Sequence, residues 1–283
     1  MKYKEGIDFV VISHCRPKYI EMLVRSIHKY TKGVDYTINV VCNYVEKQRE
    51  MNELKEMFIN DETIKIFEGV DQSKTLVEYA HGGLYNTGED YVMEIDGCTA
   101  AAGSYYAAEG LKIGIKAGNR ENVCIMDADS IFLDEWVDKL LPLTEQYFFI
   151  ANRWDPGDVF KSVVKDAKTE DGMARPMLWL QKRKHFEDND LYPELTYRDT
   201  IGNITLFAQQ NNLEFLCLEN SYKDSFRPVR NDLIEQHVVK TKYGEQAFYD
   251  GKPIHFHYTK GAMREVQAYE DWIRLTEEYL ENE

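Results

Sequence analysis

The sequence predicts an α/β fold with a mostly parallel central sheet flanked by helices and a less regular C-terminal lobe. Three observations predict it. Short β-branched and apolar runs alternate with stretches of helical apolar spacing through the first half of the chain. Apolar residues make up 43% of the 283 residues and aromatics 13%, enough for a substantial core rather than a disordered chain. Later in the chain the alternation gives way to segments that mix aromatic, basic and acidic residues.

The elements follow in order. Ile7–Ser13 is a buried first strand. Pro17 suits the first turn of a helix, and Ile20, Leu23, Val24 and Ile27 give that helix one apolar face. Tyr36–Cys42 is a second strand, Met51, Leu54 and Phe58 mark a second helix, and Thr63–Phe67 is a short third strand. Ala107, Ala108, Leu111 and Ile115 mark a helix leading into the strand Val123–Met126. Tyr147–Ala151 reads as a strand, whereas Met173–Asp190 has no clean period and is expected to be loop-rich. Asp199 is placed to cap a helix carrying Ile201, Ile204, Phe207 and Ala208. Leu213–Leu218 and the alternating Ile254–Tyr258 are strands, and Met263–Leu280 is an amphipathic helix with Val266, Tyr269 and Ile273 on one face. No Pro/Gly-rich linker interrupts the chain, so a single domain over 1–283 is expected, with lobes at 1–150 and 151–283.

The formal net charge of −15 argues against a nucleic-acid partner, which needs a basic face. It would also repel a phosphate-bearing ligand unless a cation intervened. Cys15, Cys42, Cys98, Cys124 and Cys217 are odd in number and form no CxxC pair, which fits reduced thiols of a cytoplasmic protein. The first residues, Met1-Lys2-Tyr3-Lys4-Glu5-Gly6, lack a signal-peptide pattern, and no apolar stretch reaches the roughly 20 residues of a transmembrane segment. A soluble, cytoplasmic protein is the expectation.

Ligands of an open parallel sheet bind beyond the carboxyl ends of its strands. Three such ends are polar: Ser13-His14-Cys15-Arg16, Asn43 and Asp127-Ala128-Asp129. They are expected to converge on one crevice. Asp127 and Asp129 follow an apolar strand and precede Ile131-Phe132-Leu133, expected to be helix-like. Two carboxylates one residue apart aim at one point, and such oxygen ligands suit Mg²⁺ or Mn²⁺. A cation there bridges to a diphosphate and neutralises charge on a leaving group. The plain alternative is an Asp-rich turn, and Asp188-Asn189-Asp190 shows that the pattern also arises elsewhere among 49 acidic residues. Near the C-terminus, His255 and His257 share one face of a strand, either as metal ligands or as half-exposed residues.

The opening Val10-Val11-Ile12-Ser13-His14-Cys15-Arg16-Pro17-Lys18-Tyr19-Ile20 resembles the first strand and nucleotide-binding helix of the GT-A glycosyltransferase superfamily, in particular its family 2-like members. So does the order of the helix from Gly103 to Lys116 followed by Val123–Asp129, and the likeness covers about the first 150 residues. The resemblance implies a GT-A, Rossmann-like sheet with the nucleotide-sugar in lobe 1–150 and the acceptor in lobe 151–283. It implies a UDP- or GDP-sugar donor, a Mn²⁺ or Mg²⁺ ion, and hexosyl transfer to a carbohydrate or other hydroxyl acceptor, inversion being favoured. Asp127, Asp129 and His257 become metal ligands, with Asp127 and Lys260 near the diphosphate. Ser13, Arg16, Asn43 and Asp71 become donor-site candidates, with Arg16 otherwise a surface arginine beside a helix start. Asp96-Gly97 borders the donor site or forms a turn. Asp199 becomes the general base or a helix cap, with Asp190 and Asp188 as competitors. Trp154, Trp179, Phe186 and Tyr192 either stack on a sugar or pack the core. Two other functions stay open. One is a nucleotidyltransferase, whose Gly-rich first loop is missing from Ser13–Pro17; the other is a non-catalytic sugar- or nucleotide-binding protein.

Overall fold

The computed structural model describes residues 2–14, 16–43, 47–70, 84–86, 91–95, 98–155, 172–194, 200–221, 244–258 and 266–282. The elements are β1 (Lys4–Ser13), α1 (Pro17–Tyr30), β2 (Tyr36–Cys42), α2 (Lys47–Met57), β3 (Ile64–Glu68), β4 (Leu84–Asn86), β5 (Tyr91–Ile95) and β6 (Cys98–Ala101). They continue with α3 (Ala102–Ala117), β7 (Arg120–Asp127), β8 (Ser130–Phe132), α4 (Val137–Leu140), β9 (Ile150–Asp155), β10 (Met173–Lys182) and α5 (Arg183–Glu187). The last are α6 (Gly202–Gln210), β11 (Leu216–Cys217), β12 (Glu219–Asn220), β13 (Glu245–Tyr249), β14 (Lys252–His257) and α7 (Val266–Asn282).

The central sheet has seven strands in the order β11-β9-β10-β7-β1-β2-β3. β1 pairs in parallel with β2 and β7, β2 with β3, and β11 with β9; β10 alone runs against both its neighbours. The expected mostly parallel α/β sheet is therefore present. It draws strands from both sides of residue 150. Both faces of β1 are buried. Ile7, Phe9 and Val11 join the core beneath α1 and α7, while Val10 joins a second core with Leu111 and Ile115 of α3. That two-sided burial explains the continuous apolar run Phe9-Val10-Val11-Ile12 in the first strand. Ile20, Leu23, Val24 and Ile27, the apolar stripe of α1, are all buried.

The register sets the edge that matters. Ile12 stands opposite Asp127, and Ser13 opposite Cys42, so the carboxyl ends of β7, β1 and β2 finish level. Immediately past that edge the chain enters a second sheet, β12-β13-β14-β8. The turn from Asp127 to Ser130 thus joins the two sheets.

Several sequence expectations are corrected. Ile131-Phe132-Leu133 belongs to the strand β8 and its exit, because pairing with β14 supplies partners that a local pattern does not reveal. Met173–Lys182 is a ten-residue strand inside the central sheet rather than a loop-rich region. The polar residues that hid it find partners: Arg175 binds Asp155 and Lys182 binds Glu145, both outside the strand, while Gln181 accepts from the Trp179 indole two residues back. The strand after Tyr147 starts only at Ile150, and Leu213–Leu218 shortens to Leu216–Cys217. Cys42, Cys124 and Cys217 are free thiols; Cys15 lies outside the described residues. Among the described residues no helix is long and apolar enough to cross a membrane.

Candidate metal centre

β7 delivers Asp127 to the carboxyl edge. The following turn is closed by the Ser130 hydroxyl, which donates to the Asp127 carbonyl at 2.5 Å. β8 then lies antiparallel to β14 with Ser130 opposite His257, and the Tyr258 N–H donates to the Asp129 carbonyl at 2.9 Å. These backbone bonds bring a late histidine against an early acidic turn. His257 Nε2 lies 3.2 Å from Asp127 Oδ2 and 3.3 Å from Asp129 Oδ1. The Asp127 side chain is 45% exposed, that of Asp129 11% and that of His257 7%, so of the three Asp127 is the most open to solvent.

The other imidazole nitrogen, Nδ1, lies 2.9 Å from Glu245 Oε1. Glu245 stands opposite His257 in the β13–β14 hairpin. Its two-residue loop, Asp250-Gly251, has positive φ at both positions (51° and 71°), as a tight turn matched to strand twist requires. Burial opposes charge on His257, but Asp129 close by and hydrogen bonds to Asp127, Asp129 and Glu245 outweigh it. They hold its pKa well above the usual 6.5. His255 behaves in the opposite way. Burial, helped by the charge on His257, pushes it down to about 3, so the ring is neutral. Its Nδ1 meets Asn152 Oδ1 at 3.1 Å, and it does not join the acidic pair.

Asp127, Asp129 and His257 each offer a ligand atom, all within 4.8 Å of one another. Two carboxylates and an imidazole are a donor set for Mn²⁺ or Mg²⁺. Ligands of an octahedral ion with arms of about 2.1 Å sit about 3 Å apart at adjacent corners, close to the separations of His257 from each carboxylate. The residues fit a divalent cation.

The remaining sequence candidates divide. Ser13 is fully buried and its hydroxyl donates to Glu50 at 2.6 Å, so it ties β1 to α2 rather than facing a ligand. Asn43 is likewise buried; its amide donates to the Tyr106 carbonyl and accepts from the Val70 N–H at 3.1 Å, clamping strand ends to α3. Both polar groups thus have partners within the fold. Arg16 precedes α1 and lays its guanidinium over the Tyr269 ring at 4.7 Å. Asp190 sits in the turn after α5 with φ of 48°. β10 runs antiparallel, and its end at Lys182 pairs with Asn122 near the start of β7. Asp190 and Asp188 therefore lie towards the opposite edge from Asp127. Trp179 and Phe186 are core residues, Trp154 stacks on Phe215, and Tyr192 lies under Lys116. Asp71, Asp96-Gly97, Asp199 and Lys260 lie outside the described residues.

The sequence reading missed Glu245, Arg153, Asp155 and Arg175. Asp250-Gly251 between two strand-like runs was a usable signal, since it marks a hairpin that puts Glu245 across from His257.

No protein-family model matches the chain, and no curated protein sequence matches it. Among solved structures, S. aureus TarS in complex with UDP aligns at 13% identity and a TM-score of 0.46, covering 75% of this chain and 57% of that one. The mannosyltransferase PcManGT from Pyrobaculum calidifontis, in complex with GDP-Man and Mn²⁺, aligns at 15% identity and 0.46, covering 76% and 55%. The bifunctional glycosyltransferase WbbM in its apo form aligns at 13% and 0.48, covering 98% and 50%. The chain is similar to solved glycosyltransferases. It spans about half the length of these solved structures.

Proposed function

We propose that the chain is a metal-dependent glycosyltransferase that moves a sugar from a UDP- or GDP-sugar to an acceptor hydroxyl with inversion. The Asp127–Asp129–His257 cluster at the carboxyl edge of a parallel sheet carries this reading. Asp127 and Asp129 hold a Mn²⁺ or Mg²⁺ ion from the sheet side, and His257 holds it from β14. When bound, the ion offsets the negative charge that gathers on the departing diphosphate. Arg16 and Lys260 meet the diphosphate, and Asp71 meets the nucleoside. Asp199 serves as the base that takes the acceptor proton. The hexosyl acceptor site falls to the 151–283 lobe, and the whole 1–283 chain acts as one domain.

Thermal unfolding with nucleoside diphosphates, with and without Mn²⁺, tests the proposal. A matched diphosphate at about 100 times its Kd should add about 2.7 kcal/mol of stability in Mn²⁺ and little without it. If neither UDP nor GDP stabilises the protein in Mn²⁺, the proposal fails. Sugar-nucleotide hydrolysis in Mn²⁺ would support it further. Pyrophosphate release from a nucleoside triphosphate would point to nucleotidyl transfer instead, and tight binding without turnover to a binding protein.

A further inference from the structure

Behind His257 runs a buried chain of alternating charge. One Glu245 oxygen faces His257 Nδ1 at 2.9 Å, and the other takes a hydrogen bond from Arg153 Nη1. Arg153 also grips Asp155, through Nε at 2.7 Å and Nη2 at 3.0 Å. Arg175 Nε donates to the same carboxylate at 2.6 Å. The side chains of Glu245, Asp155 and Arg153 are only 0%, 3% and 8% exposed. Charges this deep persist only when paired and hydrogen-bonded, and here each one has a partner of opposite charge. β9, β10, β13 and β14 each contribute, so the chain of charges locks the second sheet to the first at the centre.

We propose that Glu245 is a positioning residue for the metal centre, accepting the Nδ1–H of His257 so that Nε2 is the nitrogen left to bind the cation. This inference rests on the divalent-cation reading of Asp127, Asp129 and His257. A neutral imidazole carries one proton that either nitrogen can hold. A carboxylate fixed beside Nδ1 keeps the proton there, holds the ring plane and makes Nε2 a better ligand. Arg153 and Asp155 fix Glu245 in turn.

The test is Mn²⁺ affinity of the full chain, followed by electron paramagnetic resonance of free Mn²⁺. Glu245→Gln should weaken binding by about 10- to 100-fold while the circular dichroism spectrum stays native. A second measurement needs no variant. In histidine-labelled wild-type protein loaded with Zn²⁺ as a diamagnetic probe, long-range proton–nitrogen spectra should show His257 protonated at Nδ1 and ligated at Nε2. Ligation through Nδ1, or an unligated ring, overturns the proposal even if Glu245→Gln fails to fold. If the wild type binds no cation, the metal reading itself falls. If it binds Mn²⁺ and Glu245→Gln binds equally well, only the role of Glu245 falls.

Discussion

At the amino edge of the central sheet, Asp8 and Arg183 form a buried ion pair at 2.7 Å, both side chains 2% exposed. Asp8 also accepts from the Arg120 N–H, and Arg183 donates to the carbonyls of Arg120 and Ile115. One anion meets one cation, and backbone groups close the remaining bonds. At the carboxyl edge, Asp127, Asp129, Glu245 and Asp155 face Arg153, Arg175 and His257. Acid outnumbers base in that set even with the imidazole charged, and the most exposed member is Asp127. The difference separates two uses of buried charge. A balanced, enclosed pair holds strands and helices together. In the other set the acidic pair Asp127 and Asp129 stands beside His257 with Asp127 open to solvent, the part of the molecule on which the proposed cation site rests.

The largest expected effect breaks the open network. Asp127→Asn with Asp129→Asn should abolish Mn²⁺-dependent stabilisation and lower sugar transfer by about 1,000-fold, since a bound ion supplies several kcal/mol to the reaction. Steady-state kinetics and melting curves with and without Mn²⁺ check this. Asp8→Ala breaks the closed network and should do the reverse. It leaves Arg183 buried without its counter-charge, at a cost of about 3–5 kcal/mol in urea unfolding, with Mn²⁺ affinity unchanged. A loss of Mn²⁺ binding in Asp8→Ala would erase the distinction between the two ends.

A gentler change sharpens it. A Cβ on Gly118 would run into the Asp8 carboxylate and the Arg183 guanidinium. Gly118→Ala should therefore cost about 1–3 kcal/mol of stability while leaving the metal centre intact. The smallest effect is one of pH. His257 titrates above its ordinary value in the metal-free fold, so its contribution to stability is full below about 6.5 and is lost as pH rises through the folded value. A cation must displace that proton. Mn²⁺ affinity should rise with pH by up to about tenfold per unit until the ring is neutral, and calorimetry in two buffers should detect the released proton. Flat affinity over this range would remove His257 from the ligand set.

Much of the fold was legible because it was locally written. Tyr36–Cys42 matches its strand residue for residue, and the stripe Ile20, Leu23, Val24, Ile27 matches the buried face of α1. β10 was illegible because Arg175, Gln181 and Lys182 break its apolar pattern, Arg175 and Lys182 pairing with acids outside the strand and Gln181 with the Trp179 indole within it. Within the site, Asp127 and Asp129 stood out because both lie at one strand end. Glu245 looked like any surface acid; only the hairpin register makes it a neighbour of His257.

By itself, then, the sequence determined the periodicities of strand and helix, the acidic pair at the end of β7, and a charge balance that calls for a cation at any phosphate site. The tertiary structure decided which polar groups remain for function. Ser13 and Asn43 are hydrogen-bonded within the fold, Asp188 and Asp190 lie towards the other edge of the sheet, and His257 was carried 128 residues along the chain to Asp129. The reason is that backbone propensity acts over a few residues, whereas ligand geometry depends on strand order and register, which long-range pairing alone fixes.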